Sequence, residues 1–155
     1  MRREVVGLAL WIALCFAAAG LGSIATARGL DGWYRDLAKP AWTPPGWLFA
    51  PVWTFLYLLM AVAAWRVWLR VGLRSVAVRL FVAQLALNVG WSWLFFGLRE
   101  PGWAVAEITL LWLSILATVL AFWKTDRLAA AMLWPYLAWV SFASILNVTI
   151  WRMNR

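Results

Sequence analysis

Residues 33–57 read WYRDLAKPAWTPPGWLFAPVWTFLY. Four of the six Pro in the chain lie here (Pro40, Pro44, Pro45 and Pro51), with Trp33, Trp42, Trp47, Trp53, Tyr34 and Tyr57. Pro fixes φ, removes a backbone donor and pushes the preceding residue out of the helical region, so Pro44-Pro45 does not sit inside a regular helix. The charges Arg35, Asp36 and Lys39 are confined to the first third of the stretch. Trp favours the boundary between membrane and water. The segment reads as a stiff aromatic connection, a lid over whatever the flanking apolar runs build.

The 155-residue chain is 66% hydrophobic and 13% charged, too apolar for an ordinary soluble domain. Its length suits a single domain over 1–155. The net charge is +8, but the cations stand between apolar runs. That placement suits anchoring at lipid headgroups rather than a basic face for nucleic acid. There is no His, and Cys15 is the only Cys. No disulfide framework, zinc site, or Ser-His or Cys-His pair is expected, so no catalytic residue and no metal ligand is assigned. Cys15, inside an apolar run, reads as a packed helical side chain.

Five runs are long enough to cross a bilayer: 5–27, 48–65, 80–98, 103–123 and 128–151. The fold class is therefore an all-α integral membrane bundle of five helices, with a structured Trp/Pro-rich loop (28–47) between the first and second. The first run resembles a signal peptide in its Arg2-Arg3 start and its Ala25-Thr26-Ala27 end, but its length favours a retained helix. Within it Ala9, Ala13 and Ala17, and again Ala18 and Gly22, are spaced for close helix approach, either inside the bundle or at a dimer seam. Asp31 is a candidate cap for a short helix through Leu37. Arg66, Arg70 and Arg74 read as a polar connection, and Arg99 to Gly102 as a tight turn. Trp11, Trp65, Trp68, Trp103 and Trp123 read as interface anchors. The cations divide unevenly between the two sides, which leans towards a cytoplasmic N-terminus.

Polar residues inside spans normally face a bundle interior or cavity. Gln84, Asn88, Trp91 and Phe95 share one helical face, and so do Trp139, Ala143, Asn147 and Trp151. Trp53 and Tyr57 are one turn apart. If these faces converge, they line an apolar pocket with a few hydrogen-bonding groups, the make-up of a small-molecule site. The competing reading is that Asn88 and Asn147 bond across helices as packing groups. Glu107, the only acid within a span, is expected to be shallow and to face headgroups.

The stretch at 33–57, AQLALN at 83–88 followed by FFG, and PYLAWVSFASILN with WRMN towards the end together resemble the TspO/translocator protein family, the tryptophan-rich sensory proteins related to the peripheral benzodiazepine receptor. The match runs in order from about Trp33 to Asn154, and the first span matches only in character. The resemblance implies a five-helix membrane protein, commonly a homodimer, that acts as a receptor or sensor for porphyrins such as protoporphyrin IX and for lipophilic drug-like molecules. It implies a pocket under the first loop lined by Tyr34, Pro44, Trp53, Gln84, Asn88, Trp91, Trp139, Ala143 and Asn147; the helical faces add Tyr57 and Phe95. Members occur in bacterial cytoplasmic or outer membranes and in the mitochondrial outer membrane.

Two departures stand out. The sterol motif of mammalian relatives has a Tyr after its Leu-Asn pair, where this chain has Val148-Thr149. Some bacterial relatives carry a Trp where Ala41 stands. With no His for axial ligation, a metal-free porphyrin fits better than haem, so the porphyrin is a ligand and no cofactor is required. Arg28, Arg35 and Lys39 are the candidates to pair with its propionates, or they meet lipid headgroups. Light-dependent oxidative breakdown of the bound porphyrin and transport of porphyrin or other lipophiles are the alternative activities. The expected partners are the lipophilic ligand, membrane lipid and a second copy of the chain.

Overall fold

The computed structural model describes residues 2–155, apart from the side chain of Asp31. Five long helices account for most of it: α1 (Arg2–Gly29), α2 (Phe49–Val71), α3 (Val76–Ser92), α4 (Pro101–Thr125) and α5 (Arg127–Met153). All five are long and apolar enough to cross a membrane. They pack as a ring in the order α1, α2, α5, α4, α3.

The apolar runs underestimated the helices. Arg66 and Arg70 lie in the last turns of α2, and Arg79 lies in the first turn of α3. A Gly72–Ser75 connection suffices: Gly72 takes a left-handed φ of 71° and its N–H closes on the Trp68 carbonyl, and the Ser75 side chain caps α3 by accepting from the Val78 N–H. Pro101 and Gly102, read as part of a turn, begin α4; Pro is tolerated at a helix start because that N–H has no helical partner. Arg99 alone carries the sharp reversal, at φ 59°.

The loop is shorter than 28–47 suggested. Beyond Gly29 the chain continues as one wide π-helical turn, Leu30–Tyr34, and stays helical to Asp36. No separate short helix forms, and the expected cap at Asp31 falls on a side chain outside the described residues. Only 37–45 is irregular, before the turn Gly46–Leu48 feeds α2. A second π turn, Trp93–Gly97, ends α3.

The first helix shows why its small residues are there. Gly7, Trp11, Cys15, Ala18, Gly22, Ala25 and Gly29 form its buried stripe. A Cβ at Gly7 would run into the Trp68 ring, and one at Gly29 would crowd Phe96. Ala18 and Gly22 thus serve packing inside the bundle, while Ala9, Ala13 and Ala17 face outward. Trp11 is not an interface anchor: it is buried edge-on against Phe81. Trp65 and Trp68 are half-buried against α1, with Trp65 Nε1 donating to the Glu4 carbonyl. Trp103 and Trp123 are exposed as expected.

Asp126 ties the α4–α5 corner to α2. One carboxylate oxygen accepts from the Leu128 and Ala129 amides, capping α5; the other meets Arg66 at 2.9 Å and Arg70 at 3.2 Å. Burial acts to raise the carboxyl pKa, but the Ala129 and Leu128 amides and the two guanidinium groups outweigh it and hold it below the usual range.

Candidate ligand site beneath the loop

The α3 face picked out by periodicity divides by depth. Towards the loop, Trp91 and Phe95 line a cavity; towards the middle of the bundle, Gln84 and Asn88 do not.

The cavity lies between the end of α3 and the last half of α5, closed at one edge by Tyr34 and Phe49. Its walls are Tyr34, Phe49, Trp91, Phe95, Phe96, Trp139, Phe142, Ala143, Leu146, Asn147 and Ile150. Rings interlock around it. Trp91 stacks on Phe95 at 5.3 Å, Tyr34 tilts against Phe96 at 5.4 Å, and Trp139 touches both Phe49 (5.8 Å) and Phe142 (5.6 Å). From the loop above, Trp42 meets Phe142 edge-on at 5.8 Å. Ala143 leaves the space that a larger side chain would fill. The polar lining is sparse: Trp91 Nε1 donates to Asn147 Oδ1 at 3.0 Å, and Asn147 Nδ2 donates to the Pro101 carbonyl at 3.0 Å. Burial pushes the Tyr34 phenol above its ordinary pKa, so it remains a neutral O–H donor at the rim. The cavity measures only about 30 Å³.

Six of the expected site residues therefore come together: Tyr34, Trp91, Phe95, Trp139, Ala143 and Asn147. Phe49, Phe96, Phe142, Leu146 and Ile150 were missed. Three of these extend the α5 stripe at three- and four-residue steps from Trp139, a pattern that counting every fourth residue skips. Counting by fours instead selected Trp151, which packs on Gly102 away from the cavity.

Tyr57, Gln84 and Asn88 form a different structure with Tyr136. Tyr57 Oη donates to Asn88 Oδ1 (2.6 Å), Asn88 Nδ2 donates to Tyr136 Oη (2.9 Å), and Tyr136 Oη donates to Gln84 Oε1 (2.8 Å). All four side chains are buried. Asn88 is thus the cross-helix bonding group of the competing reading, joining α2, α3 and α5. Trp53 lies over this network, 5.5 Å from Tyr57 and 6.3 Å from Tyr136. Pro44 is half-buried in the loop and does not reach the cavity wall.

The three candidate cations have different surroundings. Lys39 Nζ donates to the carbonyls of Tyr34 (2.7 Å), Arg35 (3.0 Å) and Leu37 (3.0 Å), so it caps the extension of α1. Arg28 lies over the Trp93 ring at 5.4 Å. Arg35 is exposed, with Asp36 at 4.0 Å.

Glu107 does not face headgroups. Both its oxygens are buried, with no hydrogen-bond partner among the described residues, and a Cβ built on Gly90 would lie 3.5 Å from its Oε1. The missing side chain at Gly90 opens a gap in α3 that the longer Glu enters. Among the described residues no three His, Cys, Asp or Glu cluster as metal ligands.

A family model described as the TspO/MBR family matches residues 11–152. The "Tryptophan-rich protein TspO" of Chlorobaculum tepidum is 45% identical over 99% of both chains. The "Translocator protein" of Homo sapiens is 39% identical over 88% of this chain and 86% of its own. The "Tryptophan-rich sensory protein" of Cereibacter sphaeroides is 39% identical over 93% and 89% respectively.

Proposed function

This chain belongs to the TspO/MBR family and is an integral multi-pass membrane protein, and from that premise we propose that it is a membrane receptor or sensor that takes a tetrapyrrole such as protoporphyrin IX, and other flat lipophilic molecules, into the aromatic site beneath the loop. The observation that carries this reading is the convergence of flat ring faces from the turn that extends α1, the start of α2, the end of α3 and α5 on one apolar cavity with few polar groups. Such a lining gives a planar ring large stacking contact, and the few donors orient it. For the ring's propionates, Arg35 is exposed next to the wall residue Tyr34, Arg28 is exposed but lies over Trp93, and Lys39 is already committed to backbone carbonyls. Ligand pockets hold roughly 300–1,000 Å³, so the cavity has to widen about tenfold, and Trp42 of the loop, seated on the wall residue Phe142, is a contact that such widening would shift.

The test is a titration with protoporphyrin IX in the dark, read by the shift of its visible absorption band and by Trp quenching, in detergent and in nanodiscs. Ala143→Phe fills the gap and should weaken saturable binding about tenfold or more; Trp139→Ala should weaken it about tenfold, the scale of a well-packed aromatic contact. Wild-type affinity in both variants, with both still folded, would remove the porphyrin from this site. The same samples under illumination, analysed for new pigments, separate binding from breakdown.

A further inference from the structure

We infer that Asn154, at the C-terminal end of α5, is the latch that holds the loop shut over the cavity and so sets the rate at which ligand enters. This rests on the reading of the cavity as the ligand site. Asn154 Oδ1 accepts from the Ala38 N–H at 3.0 Å, and its Nδ2 donates to the Ala38 carbonyl at 2.9 Å. The side-chain amide thus mimics a paired backbone, gripping one residue of the loop from both sides. The second Nδ2 hydrogen goes to the Ile150 carbonyl at 2.8 Å, in the last turn of α5. Ile150 lines the cavity, so the grip is anchored on its wall.

Among the described residues these two bonds are the only hydrogen bonds from the irregular segment 37–45 to the helices α2 to α5; the Pro45 carbonyl accepts from Leu48 in the adjoining turn. The loop's other hydrogen bonds are internal: Thr43 closes on the Pro40 carbonyl, and Lys39 folds back on the end of the α1 extension. What remains to hold it down is apolar, chiefly Trp42 on Phe142 and Leu37 on the Phe95 cluster. The latch is solvent-exposed on both sides, so water can replace it without stranding a buried polar group. A bond that is cheap to break, holding a lid over a cavity too small for its ligand, is suited to gating. On the N-terminal side of the segment, Lys39 ties back to the Tyr34, Arg35 and Leu37 carbonyls at the end of the α1 extension, which is helical to Asp36, so displacement concentrates between Ala38 and the Gly46 turn.

The experiment measures amide exchange of residues 38–43 in nanodiscs without ligand, for the wild type, Asn154→Ala and Asn154→Asp. In parallel, the association rate of protoporphyrin IX is followed by stopped-flow Trp quenching. Removing two exposed hydrogen bonds should speed loop exchange about tenfold in Asn154→Ala. Asn154→Asp keeps an oxygen for the Ala38 N–H, loses the donated bonds, and should fall between. Exchange in the middle of α5 should stay unchanged in both, which shows that the bundle remains folded. Porphyrin association should quicken in the same order. Unchanged loop exchange in both variants would overturn the latch. Faster exchange with unchanged association would overturn its control of entry. Faster exchange with no saturable porphyrin binding in any variant would leave the latch standing and remove the porphyrin reading instead.

Discussion

The loop-side cavity and the mid-bundle network use the same two helix faces, yet they are opposite kinds of interior. In the network, Gln84 and Asn88 of α3 meet Tyr136 of α5 and Tyr57 of α2 in a chain of three hydrogen bonds. One turn or two nearer the loop, Trp91, Phe95, Trp139 and Asn147 stand around a gap. The difference is in which side chains fill the space between the helices. At mid-depth two long phenols, Tyr57 of α2 and Tyr136 of α5, span the space between the helices, and the Asn88 and Gln84 amides of α3 meet their hydroxyls. Near the loop α3 widens into the π turn Trp93–Gly97, and α2 is only starting at Phe49. Large rings fill the space there, and flat rings meeting at steep angles leave a void. Polar groups on one helical face thus act as cross-links where hydroxyl-bearing side chains of other helices reach them and as a site lining where mostly apolar rings surround them.

Substitutions should separate the two regions. The largest expected effect is on stability: Asn88→Leu strands the Tyr57 hydroxyl and breaks the link to Tyr136, costing about 3 kcal/mol. Thermal melting in detergent checks this, and the protein that stays folded should bind protoporphyrin IX as the wild type does. A loss of binding without a loss of stability would move Asn88 into the site.

Asp126→Ala, remote from both regions, removes a helix cap and a charged partner of Arg66 and should cost about 2–3 kcal/mol. Because the folded Asp126 pKa is lowered, its stabilisation is complete above the unfolded value of 3.8 and is lost as pH falls through the folded value. The wild type should therefore lose melting temperature more steeply than Asp126→Asn below about pH 4. Parallel acid limbs would remove Asp126 from the account.

Smallest is Glu107→Gln. A neutral amide of the same shape is cheaper to bury than an unpaired carboxylate, so stability at pH 8, read by thermal melting, should rise by about 1 kcal/mol or less, with porphyrin affinity unchanged. Lost affinity would extend the site into the α3–α4 seam.

Much of this was legible in the residues. Apolar run length located all five helices, and Pro44-Pro45 marked the irregular segment. Boundaries slipped where Arg66, Arg70 and Arg79 sit in helix ends, because a hydropathy run stops at a charge while a helix does not. Glu107 was misplaced for a related reason: its partner surface is an absence, the missing side chain of Gly90 on another helix. Tyr136 and Phe142 were overlooked because only every fourth residue of α5 was counted.

By itself the sequence determined that the chain is a five-helix membrane protein with an aromatic, proline-stiffened connection after the first helix. These are consequences of apolar length and of the local geometry of Pro, and both act within a few residues of the chain. Only the tertiary structure decided which polar groups meet each other and which face a cavity, that Lys39 caps a helix, and that Asn154 grips Ala38 across the fold. Those outcomes depend on which side chains of different helices meet across the bundle, and that has no signature along a single helix.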